Sequence, residues 1–227
     1  MESSIYERLQ LLPLFLGMSK SDLAQAVGQA KFGFHQFAPE DIIIRENAPC
    51  NQLLLLQKGT IKTYTDANDH GFTVIENLHA PAILQPEYLF GLHQYHTKTF
   101  IAKDTCHIIS LGKNDVARLS EDFPIFRINL LNIISTLSQK MHRLIWNLPT
   151  SGLEDHIINF FVSHCSYPAG NKTFKIKMTR LANEVNDSRL DVSRALNKLQ
   201  DLQLIKLYRG QIEIPAIENL IGYRDKK

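Results

Sequence analysis

The sequence predicts an α+β chain made of an N-terminal β-roll, a long central helix and a C-terminal winged helix-turn-helix. Three observations carry that prediction. Short apolar segments divided by turn residues run from Phe32 to Leu111, the texture of a barrel or double-sheet roll. Apolar residues then recur at spacings of three and four from Ile125 to Leu148, a helical period. Finally, Met178 to Ile205 reads as two helices about a tight turn, with two short strands behind it. The segments are 1–115, 116–148 and 149–227.

The first thirty residues read as short helices. Leu9, Leu12 and Leu14-Phe15-Leu16 form an apolar run, and Ser19-Lys20-Ser21-Asp22 restarts a helix through Val27. Strands follow in GFHQF, DIIIRE, NQLLLLQKGTIKTYT, GFTVIENL and TFIAKDTCHIISL. Asp66-Ala67-Asn68-Asp69-His70-Gly71 is a turn-rich break between two of them, and Gly59 supports a tight turn inside the third.

From Asp115 to Trp146 the pattern is helical, interrupted at Phe123-Pro124 and then continuing for about six turns. Its apolar positions occupy more than one face, so both faces need covering. One side is expected on the roll. The other, with Ile128, Leu131, Ile134, Leu137, Met141 and Leu144, is expected on the same helix of a second copy. The plain alternative is a core helix of a monomer. Pro149-Thr150-Ser151-Gly152 breaks the helix and is read as a hinge. Ser151 and Glu154 have capping-box spacing for the next helix, whose Leu153, Ile157, Phe160 and Phe161 form a packing face.

The C-terminal pair is the most specific stretch. FKIKM, Phe174 to Met178, leads in as a strand, and Leu181, Ala182 and Val185 share one face of the first helix. Asn186-Asp187 makes a turn that needs positive φ, which Asn tolerates. Ser188 and Asp191 open the second helix with a cap and an acid near its positive dipole end. Its inward positions are Val192, Ala195, Leu196, Leu199 and Leu202. Arg189, Ser193, Arg194, Asn197 and Lys198 point outward near its N-terminal half. That end of a recognition helix enters the major groove, where Arg bonds two guanine acceptors and Asn or Ser bonds base edges or phosphates. Thr179 at the head of the first helix and Arg209 in the hairpin Tyr208-Arg209-Gly210-Gln211 complete the candidate DNA-contacting set. The bland reading is a solvated basic face on a packed helical pair.

Charge follows the same division. Net charge is only +2 over 227 residues, but residues 1–149 hold 13 Lys+Arg against 14 Asp+Glu, whereas Lys172 to Arg209 hold 9 against 4. A basic concentration there suits a phosphate-contacting surface. The apolar fraction of 44% is ample for a core. Cys50, Cys106 and Cys165 are widely spaced, with neither a disulfide framework nor a C-x-x-C metal pattern. No secretory leader is evident and no apolar stretch approaches the ~20 residues needed to cross a bilayer. A reducing cytoplasm is the expected location.

These residues together resemble the CRP/FNR family of bacterial transcription regulators. The family motif at the recognition helix is close to S-R-E-T-V-x-R or E-x-x-S-R. Ser188, Arg189, Val192 and Arg194 match the first form, and Ser193-Arg194 match the second. Leu190 stands where both forms carry Glu. Leucine cannot accept from cytosine but can touch a thymine methyl, with Asp191 next door as a partial substitute. The resemblance implies a cyclic-nucleotide-binding-like jelly roll, a homodimer on an inverted repeat of double-stranded DNA, and RNA polymerase as a partner, with no membrane. PLF…GMSKSDLAQAV and QKGTIK are similar to the lead-in and strand–glycine–strand of its sensor domain.

In the family's nucleotide-binding members a Gly-Glu pair contacts the ribose, and an Arg with a following Ser or Thr grips the phosphate. Pro86-Glu87 stands at the first position and His96-Thr97 at the second, with Lys98 adjacent. A neutral histidine cannot replace the bidentate grip of arginine. Cyclic AMP and cyclic GMP are therefore disfavoured, and a different effector, or none, is expected around Glu87, His96, Thr97 and Lys98. Family members that bind haem use a histidine of this domain. His93 and His96 are three apart and could share a helix face, but no third ligand is suggested and no metal is expected. The family's oxygen sensors carry an N-terminal cysteine cluster, whereas here no cysteine precedes Cys50. Cupin-type enzymes share the barrel, but their H-x-H…E…H ligand pattern is absent and no catalysis is expected. The rival function is a sensing roll whose winged helix docks on a protein instead of DNA.

Overall fold

The structure is a computed structural model that describes residues 5–146 and 152–226. The chain forms two compact units, residues 1–61 with 78–143, and residues 62–77 with 144–227.

The first unit begins with α1 (Ile5–Gln10), a 3-10 helix (Pro13–Phe15) and α2 (Lys20–Gln29). Ser19 and Asp22 form a reciprocal capping box at the start of α2, satisfying two helix-end donors. Eight strands follow as β1 (Phe32–Phe37), β2 (Ile42–Ile44), β3 (Gln52–Lys58), β4 (Thr60–Asp66), β5 (Phe72–His79), β6 (Ala82–Leu84), β7 (Thr99–Ala102) and β8 (Cys106–Gly112). One antiparallel sheet has the order β1-β8-β3-β6, and β2 pairs with β7 in the other. The pleat of β3 divides its leucines between two cores. Leu53 and Leu55 pack with Leu9, Phe15 and Phe126 under the helices, whereas Leu54 and Leu56 pack with Ile61, Phe100 and Ile108 inside the roll. Four consecutive leucines are thus buried on both faces.

Two helices, α3 (Lys113–Asp122) and α4 (Pro124–Trp146), stand where one interrupted pattern was expected from Asp115. Pro124 lacks an N–H and disfavours helical geometry in the residue before it. Phe123 is accordingly extended, at φ −122° and ψ 99°, and its ring is buried in the helix-side core. Phe126 and Leu130 turn α4 onto that core, and Ile134, expected on the face for a second copy, packs partly buried beside them because it lies one turn beyond Leu130. Ile128 and Leu131 remain 54% and 55% exposed on another face. Leu137 is half-buried. The side chains of Met141 and Leu144, and the hinge expected at 149–151, lie outside the described residues.

The second unit takes residues 62–77, the distal part of the β4–β5 hairpin, and adds α5 (Leu153–Ser163), β9 (Lys172–Ile176), α6 (Met178–Glu184), α7 (Arg189–Asp201), β10 (Lys206–Tyr208), β11 (Gln211–Ile214) and α8 (Ile217–Asp225). Its strands run in the order β5-β9-β11-β10, all antiparallel. Phe160, Phe161, Phe174, Val192, Leu196 and Ile212 share one core. Three expectations are corrected here. The lead-in strand starts at Lys172, and Met178 is already the first residue of α6. Gly152 is the N-cap of α5 without a side-chain cap bond, while Ser151 lies outside the described residues. Arg224 Nη1 donates to Asn159 Oδ1 at 2.6 Å and ties α8 to α5. Leu202, placed on the buried face from its spacing, is the C-cap of α7 and 48% exposed.

Gly59 joins β3 to β4 at φ +102°, and a Cβ there would sit 2.7 Å from the Thr105 carbonyl oxygen. Both the backbone angle and the contact exclude a side chain. Gly59→Ala is expected to destabilise the first unit by about 1–3 kcal/mol, read as a lowered midpoint in urea denaturation.

Candidate functional site

The surface of α7 is set by its first turn. Ser188 Oγ accepts from the Asp191 amide at 3.1 Å and donates to Asp191 Oδ2 at 2.6 Å. Asn186 holds the preceding turn at φ 53°, as a short interhelical connection requires. Val192, Ala195, Leu196 and Leu199 are buried, which fixes the rotation of the helix and sends Arg189, Leu190, Arg194, Asn197 and Lys198 to solvent. Ser193 is half-buried. Thr179 is exposed at the start of α6 and Arg209 is exposed in the β10–β11 turn.

These side chains are not equally available. Among the described residues Arg189 has no hydrogen-bond or ion-pair partner. Arg194 Nη1 pairs with Asp191 Oδ1 at 3.1 Å. Asp191 therefore serves the cap and Arg194 together, and the Ser188 hydroxyl, followed by the Arg194 charge, holds its carboxyl below the usual carboxylate range. Asp191, expected beside Leu190 as a partial substitute for glutamate, is thus engaged within α7 itself. Lys198 Nζ reaches Glu154 Oε1 at 2.5 Å, and Glu154 Oε2 accepts from Tyr223 Oη at 3.0 Å. The sequence suggested Glu154 only as a capping partner of Ser151 and not in this role, since these partners lie 44 and 69 residues away.

The candidate effector segment has a different character. Gln85 is buried in left-handed backbone, at φ 43°, immediately before a short 3-10 helix (Pro86–Tyr88). Its amide nitrogen donates to Thr97 Oγ1 at 2.7 Å, and its oxygen accepts from the Thr97 amide at 3.2 Å. The same oxygen lies 3.2 Å from His96 Nδ1. The His96 ring is only 4% exposed and stands edge-on to Phe100, with centroids 6.3 Å apart. Burial pushes the His96 pKa down, so the neutral ring is favoured. Glu87 is exposed as a residue, but protein around its carboxyl raises the pKa by desolvation, opposed by its own backbone and by Lys98. His96 and Thr97 are thus engaged by Gln85, a residue with no distinguishing sequence signal beyond the proline that follows it. His93 and His96 do not share a helix face, because residues 89–98 form a loop with an isolated bridge between Pro49 and Tyr95. His93 is exposed.

Comparison with known proteins bears on this region. Residues 34–123 match the model of the cyclic nucleotide-binding domain. No curated protein matches the chain in sequence. In structure it is similar to a CooA variant from Carboxydothermus hydrogenoformans, with 16% identity, coverage of 94% of both chains and a TM-score of 0.51. It is also similar to the c-di-GMP responsive global regulator CLP of Xanthomonas campestris (14% identity, 87% of this chain and 99% of that one, TM-score 0.50). The sensor domain of the transcriptional regulator DNR of Pseudomonas aeruginosa gives 17% identity over 64% of this chain and 94% of that one, with a TM-score of 0.50. At these identities the likeness is one of fold. Among the described residues no group of three or more His, Cys, Asp or Glu side chains could hold a metal ion, and no helix is long and apolar enough to cross a membrane.

The buried histidine gives a pH dependence. Its folded-state pKa lies below the ordinary value of 6.5, so below that pH the unfolded chain binds more protons than the folded one. The stability of the Gln85–His96–Thr97 network is therefore complete above pH 6.5 and is lost as pH falls. Thermal denaturation between pH 7.5 and 5 should show a falling midpoint for the first unit, with a smaller slope in His96→Asn.

Proposed function

We propose that the chain is a sequence-specific DNA-binding transcription regulator of the CRP/FNR type, with α6–α7 as its helix-turn-helix and β10–β11 as the wing. It acts in the cytoplasm as a homodimer on an inverted repeat, with RNA polymerase as partner, and carries no catalytic site. The observation that supports this most strongly is the division of α7. Its buried face is apolar, its N-terminus is capped by Ser188, and Arg189, Arg194 and Asn197 are presented together to solvent. An Arg without a competing partner can take two guanine acceptors. Thr179, Ser193, Lys198 and Arg209 supply phosphate contacts around that core of base readers, and Leu190, 61% exposed, can meet a thymine methyl.

Dimerisation is assigned to α4, where Ile125, Ile128 and Leu131 form an exposed apolar stripe at spacings of three. Such a stripe beside a buried one gives the helix two faces to cover. The effector region, with Glu87, His96, Thr97 and Lys98, does not suit a cyclic nucleotide. A buried phosphodiester wants a fixed cation, and here a neutral imidazole is engaged by a carboxamide. Control by a different small effector, or by protein level alone, fits this better.

A second reading, docking of the winged helix onto a protein, is favoured by the exposed Leu190 and Tyr208, 61% and 54% exposed. Salt separates the two, because displacement of counterions from DNA gives a steep slope of log affinity against log salt.

Selection from a random DNA pool with purified protein is expected to recover an inverted repeat, and enrichment of nothing, with or without metabolite extract, would sink the DNA reading. On the recovered site, Arg189→Ala should cost about 1–3 kcal/mol and relax base preference at one position per half-site. Lys198→Ala should weaken binding evenly across sequences and flatten the salt slope, and a sequence-selective loss would contradict its phosphate role.

A further inference from the structure

The β4–β5 hairpin is a working part of the C-terminal unit. The chain leaves the first unit after Ile61 and rejoins it at Leu78, and the intervening residues belong to the second. Within that unit β5 pairs antiparallel with β9 from Phe72↔Ile176 to Glu76↔Lys172. Phe72 and Val74 are buried in the core that holds Phe174, Val192 and Leu196. The Phe72 ring meets Phe160 edge-on, with centroids 5.3 Å apart, and His164 at 5.1 Å.

The ladder has a defined phase. The Ile176 amide donates to Gly210 O at 3.1 Å, so by alternation the amides of Thr173 and Lys175 face β5. Ala67 N donates to Phe72 O at 3.0 Å, which turns Phe72 toward β4 and leaves Thr73 and Ile75 to face β9, in the same phase. Glu76↔Lys172 is therefore a non-hydrogen-bonded pair, the position at which opposed side chains come closest. There Lys172 Nζ meets Glu76 Oε1 at 2.8 Å, with the two side chains 2% and 3% exposed. The Glu76 carboxyl also accepts the Ser166 amide, at 3.0 Å to each oxygen. At the far end Arg180 of α6 pairs with Asp69 of the hairpin turn at 2.7 Å.

Without the hairpin, β9 would present an open edge beside exposed Phe160 and Phe174, and Lys172 would be a buried charge without its counter-ion. We propose that the hairpin is the coupling element of the molecule, a strand added to the winged-helix sheet and latched by Glu76–Lys172. It holds that unit in its DNA-reading form, and opening of the β5–β9 seam is the step by which the winged helix is switched off. The last point rests on the DNA reading above, whereas the strand addition does not.

The test uses the full chain with Glu76→Cys and Lys172→Cys in a Cys165→Ser background, so that no half-exposed native thiol competes. Oxidation should close an intramolecular disulfide at the latch, with loss of two free thiols. The Thr173 and Lys175 amides should exchange slowly in the wild type and in the oxidised variant. They should exchange at least about tenfold faster in Glu76→Gln, which leaves Lys172 unpaired. On a selected DNA site the oxidised variant should bind within about twofold of wild type, and Glu76→Gln more weakly. Failure to crosslink, or wild-type exchange of both amides at the rate of open backbone, would overturn the strand addition. Loss of DNA binding on oxidation, restored by reductant, would show that the seam opens in the DNA-reading form and overturn the switch. If no variant binds DNA, crosslinking and exchange still decide the strand addition by themselves.

Discussion

Glu76 and Lys172 are charged groups taken almost wholly out of water, and everything around them follows from that constraint. Two ions can be buried only if each is the other's counter-ion and the remaining acceptor capacity is filled. The 2.8 Å contact meets the first condition and the Ser166 amide helps to meet the second. The pair is exacting because removing one member costs about 3–5 kcal/mol, whereas an apolar pair of similar volume would cost little to nothing in its place. Its value is specificity. A slip of β5 by one residue against β9 would turn Glu76 away from Lys172 and take Phe72 and Val74 off the core face. The pair thus fixes the register that carries Phe72 and Val74 into the core behind α7.

That register reaches the exposed face of α7 through packing. Phe72 touches Phe160 of α5, Phe160 and Phe161 touch Phe174 of β9, and the same core contains Val192 and Leu196 of α7. The face that α7 shows to solvent is the complement of the face buried there. The exposed set beginning at Arg189 is therefore positioned by aromatic side chains from three other elements. Glu154 adds a polar tie, reaching Lys198 of α7 and Tyr223 of α8 from the start of α5.

What could be read from the sequence was local. Ser188 and Asp191 cap a helix, Asn186 takes positive φ and Gly59 turns between strands because each property belongs to one residue and its near neighbours. The phase of α7 was legible for the same reason, except at Leu202, where the helix has already ended. Pairing was not legible. GFTVIENL reads as a strand, but nothing in it names β9 as a neighbour, 96 residues away at the latch. Alternation places Glu76 in phase with Phe72 and Val74, and Lys172 in phase with Phe174 and Ile176, but a charge in an apolar phase makes sense only once its partner on the other strand is known. Gln85 was missed for a related reason, since its role depends on a loop 11 and 12 residues further on.

The segment from Gln85 to Lys98 carries a chemistry that is poorly suited to an anion. A site for an anion needs a cation held in place before the ligand arrives, because water would otherwise solvate the anion better. Here the groups at the corresponding positions form a neutral set. Gln85 gives both faces of its carboxamide to His96 and Thr97, and burial favours the uncharged ring. Protonating His96 would place a charge against Phe100 in the roll's core, with Gln85 as its hydrogen-bonding neighbour at Nδ1. Binding an anion would require that unfavourable protonation first, or the recruitment of Lys98 from its existing interactions. Either route subtracts from affinity. The segment therefore stabilises the roll better than it would grip a phosphate.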